Sequence, residues 1–370
     1  EEVSTTRTEK SSAKGSASGG TKVTEYEYFA NFAVALCEGE VDRIGRVWAD
    51  GKEIDVSELT FRLHPGSETQ EPDSLVVAKE GADEAPAYRG IAYVVFERMP
   101  VSAFGNRIPQ LSFEVHRSVG GAEDHVRAIN IIPGSTEFGY DTELITRDAG
   151  AGVTDPENTH ASALRSDWTV SIDDLTATCR NVSAASLVVA WFGTDLRCGI
   201  AEVKPGVESA SKITDPVSWS VGGITRSAAH QVSLVEESPA YGGTPSDASV
   251  IHAIQDLRAR GLEAMFYPFI LMDVPAGNGL ADPYGGSEQA VYPWRGRITC
   301  DPAPGLPGSP DRTALCAAQV QSFIGTAQVA DFTVNGTAVT YTGPAEWSYR
   351  RMALHYAHLC AAAGGVDAFL

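Results

Sequence analysis

The sequence has 370 residues, with 28 lysines and arginines against 48 aspartates and glutamates, and therefore a formal net charge of −20. This excess of acid argues against a nucleic-acid-binding protein, which needs clustered cations for phosphate contacts, and against adsorption to an anionic membrane. The length predicts two or three domains, and the 43% of hydrophobic residues are enough to form their cores. No apolar run approaches the roughly 18 residues of a membrane-spanning helix, so no membrane span is predicted.

The first part of the chain predicts a flexible segment followed by a mainly β domain. Residues 1–22 are rich in Ser, Thr, Gly and Lys, a composition typical of linkers. Residues 23–117 show apolar residues at every second position, which predicts strands. One hairpin is expected around Asp50-Gly51, a dipeptide that favours tight turns.

Residues 118–165 are interpreted as a connecting segment, and from residue 166 onward predicted helices alternate with apolar strands. The predicted strands have apolar residues on both faces, as buried strands of parallel sheets do. Pro268 in the second of them predicts a bulge or bend. The predicted elements are a helix near Ser171-x-x-Asp174, a strand at 187–192, a helix opened by Thr244 and closed by Gly261, a strand at 265–271, a helix from Ser309, a hairpin at Asn335-Gly336, a helix through Tyr349 and Cys360, and a strand at 366–370.

Alternating strands and helices with right-handed crossovers form either an open doubly wound sheet or a (β/α)8 barrel. Three strands with long loops after their carboxyl ends favour the first part of a barrel. We therefore predict a multidomain chain, with a partial TIM-barrel-like domain at residues 166–370. A chain that stops on an apolar strand leaves an unpaired edge, so we expect this sequence to be a fragment whose missing part completes the barrel.

Several strings resemble the giant, megatron-type tail proteins of gene transfer agents and the tail-tip hub proteins of related phages. The hub-like strings are residues 32–39 (FAVALCEG), 44–52 (IGRVWADGK), 88–96 (YRGIAYVVF) and 104–115 (FGNRIPQLSFEV). The strings that resemble the TIM-barrel-like domain of those proteins are residues 191–197 (WFGTDLR), 241–247 (YGGTPSD) and 266–273 (FYPFILMD).

The resemblance implies a structural subunit of the tail tip or baseplate that links the tail tube to host-contacting or envelope-penetrating parts for DNA delivery. It implies a homotrimer that contacts the distal tail protein and other baseplate proteins, in an extracellular phage-like particle assembled in the producer cytoplasm. Residues 23–117 would be the hub domain, and the barrel would be related to glycoside hydrolases. The net charge of −20 then fits DNA passing nearby without specific binding, because like charges repel.

The first alternative function is glycoside hydrolysis of surface polysaccharide or peptidoglycan. Asp195 and Asp273 follow the first two predicted barrel strands, and the reacting groups of barrel enzymes lie at such strand ends. A glycosidase needs two carboxylates about 5–10 Å apart. The competing interpretation is that both aspartates cap turns or pair with arginines.

A second alternative is a carbohydrate-binding module without catalysis. Asp282, Tyr284, Tyr292 and Trp294 lie in the loop after the second predicted strand, and aromatic rings beside polar groups bind sugar faces. The competing interpretation is that Trp294 anchors the loop. The sequence contains no phosphate-binding loop and no nucleophile elbow.

No cofactor is predicted. His355 and His358 are three residues apart on a helix, but no third ligand accompanies them, so packing roles are expected and no metal site is predicted. Six scattered cysteines without a C-x-x-C pair predict reduced thiols.

Overall fold

The computed structural model describes residues 2–9, 21–134 and 136–370. The chain divides into two compact units, Glu1–Glu123 and Asp124–Leu370. Part of the segment predicted to be flexible, residues 1 and 10–20, lies outside the described residues. Among the described residues of that segment, Glu2–Glu9 is a strand paired antiparallel with the strand that begins at Thr21. No helix within the described ranges has the length and apolarity needed to cross a membrane.

In its described residues, 2–9 and 21–123, the first unit contains two antiparallel sheets and one short α-helix. Its elements are β1 Glu2–Glu9, β2 Thr21–Glu38, β3 Arg43–Ala49, β4 Lys52–Ile54, β5 Thr60–His64, α1 Ser74–Glu80, β6 Ile91–Pro100 and β7 Leu111–His116. One sheet has the order β1-β2-β6-β5 and the other the order β4-β3-β7. Strand pairing thus accounts for most of this unit, as the alternating sequence predicted.

The predicted hairpin at Asp50-Gly51 is confirmed. β3 and β4 pair antiparallel, with Ala49 opposite Lys52. Asp50 has φ 49° and Gly51 has φ 81°, so both turn residues are left-handed as a type I′ turn requires.

β6 departs from the alternating pattern because both of its faces are covered. Residues 92–96 are all buried, whereas the alternation of Ile91, Tyr93 and Val95 predicted one exposed face. The ring of Phe96 lies 5.0 Å from that of Phe32 and 5.1 Å from that of Phe61. β6 is therefore the central strand of this unit's core.

The second unit combines one mainly parallel sheet with helices and several small sheets. Its helices are α2 Asp167–Thr178, α3 Asp247–Ala259, α4 Ala314–Ile324 and α5 Tyr349–Ala362. Its strands are β8 Ala128–Ile131, β9 Thr146–Gly150, β10 Val153–Pro156, β11 Ala184–Gly193, β12 Val203–Lys204, β13 Gly206–Val207, β14 Thr214–Asp215, β15 Ser220–Val221, β16 Ile224–Thr225, β17 His230–Gln231, β18 Leu234–Val235, β19 Ser238–Pro239, β20 Glu263–Met272, β21 Phe332–Asn335, β22 Ala338–Tyr341 and β23 Ala368–Phe369.

The parallel strands neighbour one another in chain order, β8-β11-β20-β23, and short β12 runs antiparallel to the end of β11. Helix α2 lies between β8 and β11 in the chain, α3 between β11 and β20, and α4 and α5 between β20 and β23. This sequential order of parallel strands is the one that a barrel or one half of a doubly wound sheet uses.

The sequence missed β8, which lies in the segment interpreted as a connection. Residues 124–165 belong to the second unit, and Phe138, Tyr140 and Ile145 are completely buried in its core. β8 has only four residues, too few for its period to be recognised. The first parallel strand therefore comes earlier in the chain than predicted.

Three helices begin at other residues than predicted: α2 begins earlier, and α3 and α4 begin later. The caps are Ser166 for α2, Ser246 for α3 and Thr313 for α4, and each side chain accepts a hydrogen bond from a backbone N–H of the first turn. The sequence had favoured starts near Ser171, Thr244 and Ser309. Competing serines and threonines two to five residues apart make such boundaries hard to read locally.

Pro268 produces no bulge in the pairing of β20 with β11, and the alternative that the sequence predicted, a bend, stays a prediction. β20 pairs with β11 in unbroken register from Glu263 to Met272, with Pro268 opposite Val189. The Leu370 amide donates to the Phe266 carbonyl on the β23 side, and alternate residues of a strand point to the same neighbour. The backbone nitrogen of Pro268 therefore points away from β11, so its lack of a hydrogen interrupts no hydrogen bond between β20 and β11.

Candidate functional site

Asp195 follows β11 and is held by two partners. Its Oδ1 accepts hydrogen bonds from Arg197 N (2.8 Å) and Gln289 Nε2 (2.7 Å), and its Oδ2 lies 2.7 Å from Arg197 Nη2. The aspartate is only 4% exposed. Burial acts to raise the pKa of Asp195, but the hydrogen bonds from Arg197 and Gln289 outweigh it, so the pKa is below its ordinary value.

Asp273 follows β20 and is held by His230 and Ser233. The Nε2 atom of His230 lies 2.6 Å from Oδ2, which also accepts the Ser233 amide at 3.0 Å. The Ser233 hydroxyl donates to Oδ1 and lies 3.1 Å from the hydroxyl of Tyr292. Burial again acts to raise the pKa of Asp273, and these hydrogen bonds lower it below the ordinary value.

The two predicted catalytic residues thus follow adjacent parallel strands, Asp195 after β11 and Asp273 after β20. Both are buried, ionised and hydrogen-bonded, which suits a carboxylate that orients neighbouring groups more than one that donates a proton. Their catalytic role stays a prediction.

The predicted sugar-binding residues share one loop after β20, but their side chains have different surroundings. Asp282 accepts hydrogen bonds from the amides of Tyr284 and Gly286, both at 3.1 Å, and so stabilises a turn. The Tyr284 hydroxyl donates to the Arg297 carbonyl (2.9 Å), and the Arg297 guanidinium lies 4.4 Å from the Tyr284 ring.

Trp294 is the exposed aromatic of this loop, with 67% of its surface accessible. Its ring lies over Gly296, where an added Cβ would meet ring atoms at 2.1 Å. Tyr292, by contrast, is half-buried and packs edge to face with Tyr241 at 5.5 Å. The structure therefore presents Trp294 to solvent and places Tyr292 beside Asp273, and the sugar-binding role of the four residues stays a prediction.

A second constellation escaped the sequence reasoning. Three glutamates surround the ammonium group of Lys212, with distances of 3.0 Å from Glu137, 3.1 Å from Glu157 and 2.9 Å from Glu208. Arg226 lies 2.9 Å from the other oxygen of Glu137. The side chains of Glu137 and Glu157 are at most 2% exposed. Glu157, Glu208 and Lys212 line a cavity of about 420 Å³ that begins at the end of β8.

The environment moves the pKa values of two of these glutamates in opposite directions. Burial and the charges of Glu137 and Glu157 raise the pKa of Glu208. Burial also acts to raise the pKa of Glu137, but the charge of Arg226 and the hydrogen bonds it receives lower it below the ordinary value. Opposite shifts of neighbouring carboxyls are how acid and base roles are divided in many active sites. No local motif reveals this cluster, because Glu137 and Glu157 lie 75 and 55 positions before Lys212 and only Glu208, four positions before it, is near in the sequence.

The two histidines occupy packing positions. His355 is completely buried, and its Nε2 lies 2.9 Å from Asp247 Oδ1. His358 Nδ1 lies 2.7 Å from the Leu354 carbonyl. Within residues 2–9, 21–134 and 136–370, no group of His, Cys, Asp and Glu side chains is arranged to hold a metal ion.

Comparison with known proteins gives two similarities. A family described as "GTA TIM-barrel-like domain" matches residues 347–370, which comprise α5 and β23. A chain of the solved structure "Virion of native gene transfer agent (GTA) particle" is 57% identical over a match that covers 26% of this chain and 22% of that chain, with a TM-score of 0.24. No curated protein matches. The matched part is thus about a fifth of that virion chain, and a TM-score this low does not indicate a common overall fold.

Proposed function

We propose that this chain is a structural component of a phage-like gene transfer agent particle. The observation that carries the proposal is the family match at residues 347–370. This segment is not an isolated motif in the structure, because α5 packs against β20 and β23 extends the parallel sheet. The identity with a gene transfer agent virion chain, over a quarter of this sequence, supports the same assignment.

Within the particle, we assign the chain to the tail tip or baseplate. The hub-like strings of residues 32–39 and 104–115 support this finer assignment, and they lie in β2 and in β7 with its preceding loop. The first unit would contribute to a trimeric ring in contact with the distal tail protein. The second unit, with its sequential parallel strands, would be the barrel-like adaptor toward the host.

The experiment is to tag the protein in a producing strain and to purify particles on a density gradient. Peptides from both units should co-sediment with the capsid and tail proteins, and crosslinking of the particles should trap a trimer. Recovery of the tagged protein only in the soluble fraction, with particles that lack it, would contradict the proposal.

Glycoside hydrolysis is the second candidate, and the glutamate cluster around Lys212 favours it. The bound oxygens of Glu157 and Glu208 lie 3.1 and 2.9 Å from one nitrogen, so they are no more than 6.0 Å apart. This limit is compatible with the carboxylate spacing of a retaining glycosidase, about 5–5.5 Å. Release of sugars from producer and host envelopes, measured with wild type, Glu208→Gln and Asp273→Asn, tests it. Unchanged release in Glu208→Gln would reject the cluster as its source.

A further inference from the structure

Three of the six cysteines converge on one cavity in the second unit. Cys198, Cys300 and Cys316 line a space of about 610 Å³ whose other walls come mainly from β20, the segment 295–304, α4 and α5. All three are free thiols. Cys198 and Cys300 are buried, whereas Cys316 is half-buried. The fold therefore gathers thiols from three distant segments, a feature that the proposed function does not use.

Backbone pairing places Cys198 beside Cys300. Arg197 and Thr299 form an isolated parallel bridge. The Cys198 amide donates to the Thr299 carbonyl, and the Thr299 amide donates to the Leu196 carbonyl, both at 2.8 Å. The two cysteines are thus neighbours on adjacent extended segments.

A side-chain amide fixes helix α4 against the same segment. Gln319 accepts a hydrogen bond from the Asp301 amide (2.9 Å) and donates one to the Asp301 carbonyl (3.2 Å). Cys316 lies three residues before Gln319 and so shares its face of the helix. This geometry turns Cys316 toward the segment that contains Cys300 and Asp301, and both cysteines line the same cavity.

We propose that Cys300 and Cys316 form an intramolecular disulfide when the protein meets a small-molecule disulfide such as oxidised glutathione. The half-buried Cys316 loses its proton and attacks one sulfur of the oxidant, which releases one glutathione and leaves a mixed disulfide. Cys300 then loses its proton and attacks the Cys316 sulfur, which releases the second glutathione. Two thiols are oxidised and one disulfide is reduced, so electrons and atoms balance.

The surroundings of the thiols in this cavity affect the rate of the exchange through the pKa values of the thiols. Burial, together with the neighbouring Cys300 and Cys316, raises the pKa of Cys198 to about 11. Burial and the neighbouring Cys300 also raise the pKa of Cys316. Because the thiolate is the attacking species, the reaction is slow at pH 7 and accelerates as the pH rises. The resulting bond would connect α4 to the segment before it and close a short loop.

The experiment treats the full chain with oxidised glutathione at pH 7 and pH 9, alkylates the remaining thiols and maps peptides by mass spectrometry. We expect a Cys300–Cys316 crosslink that forms at least about tenfold faster at pH 9. Cys316→Ser should abolish it, and the control Cys179→Ser should not. The oxidised protein should also melt about 5–10 °C higher.

Two outcomes would overturn the proposal. The first is a stable glutathione adduct on Cys316 with no crosslink, which would mean that Cys300 is out of reach. The second is a disulfide between Cys198 and Cys300, which would show that the proposed Cys300–Cys316 pair is wrong. Neither outcome depends on whether the protein belongs to a phage-like particle.

Discussion

Replacement of Lys212 by methionine should strongly destabilise the second unit. Lys212 is 11% exposed and contacts carboxylates of Glu137, Glu157 and Glu208 that are 0%, 2% and 15% exposed. Methionine keeps the length of the side chain but removes the charge. Arg226 remains beside Glu137, whereas Glu208 loses the only cation that contacts it within the described residues. Breaking a buried ion pair in this way costs about 3–5 kcal/mol.

The assay is urea unfolding followed by tryptophan fluorescence, with the free energy of unfolding taken from the midpoint and slope. The matched control is Lys204→Met, because Lys204 pairs with Glu202 at 2.6 Å but the side chains are 26% and 47% exposed. An exposed pair contributes about 0–1 kcal/mol. Equal losses in the two variants would refute the conclusion that the Lys212 cluster is a buried, interdependent network.

Three further predictions follow from particular contacts. Glu208→Gln should become more stable relative to wild type as the pH rises from about 4. The raised pKa of Glu208 stabilises the wild-type fold at low pH, and this stabilisation is lost as the carboxyl of the folded protein ionises. A difference in the free energy of unfolding between the two proteins that does not change with pH would contradict this prediction. Gly206→Ala should lower the free energy of unfolding by about 1–3 kcal/mol in the same assay, because a Cβ there would lie 2.5 Å from the Phe192 ring. In the control Gly134→Ala the added Cβ has nothing within 4 Å, so the loss should be less than about 0.5 kcal/mol. Trp294→Ala should leave the melting temperature within about 1 °C of wild type, because this residue is 67% exposed. The same variant should abolish any glycan binding measured by calorimetry. Full retention of binding would exclude Trp294 as a glycan contact.

Local sequence patterns correctly predicted the elements that depend only on residues near one another in the chain. The Asp50-Gly51 and Asn335-Gly336 hairpins depend on turn residues, and both form as expected. Helix starts were harder, because tertiary contacts compete for the same residues. Thr244 does not cap α3; its hydroxyl donates to the Ala190 carbonyl and accepts from the Gly206 amide, which leaves Ser246 to cap the helix.

Much of the site chemistry could not be read from the sequence because several of the partners are remote, although Arg197 lies only two positions from Asp195. Asp195 and Asp273 were correctly expected after neighbouring strands, but their partners Gln289 and His230 lie 94 and 43 positions away. The same holds for the pairing of Glu137 with Lys212 across 75 positions. Only a folded chain shows which of its many carboxylates are buried together.

The most direct test of the central claim is where this protein lies in an intact particle. Gold-labelled antibodies against an epitope in the second unit, viewed by electron microscopy of purified particles, would locate it. We predict label at the free end of the tail in most particles. Label confined to the capsid, or particles without label beside abundant free protein, would contradict a tail-tip component.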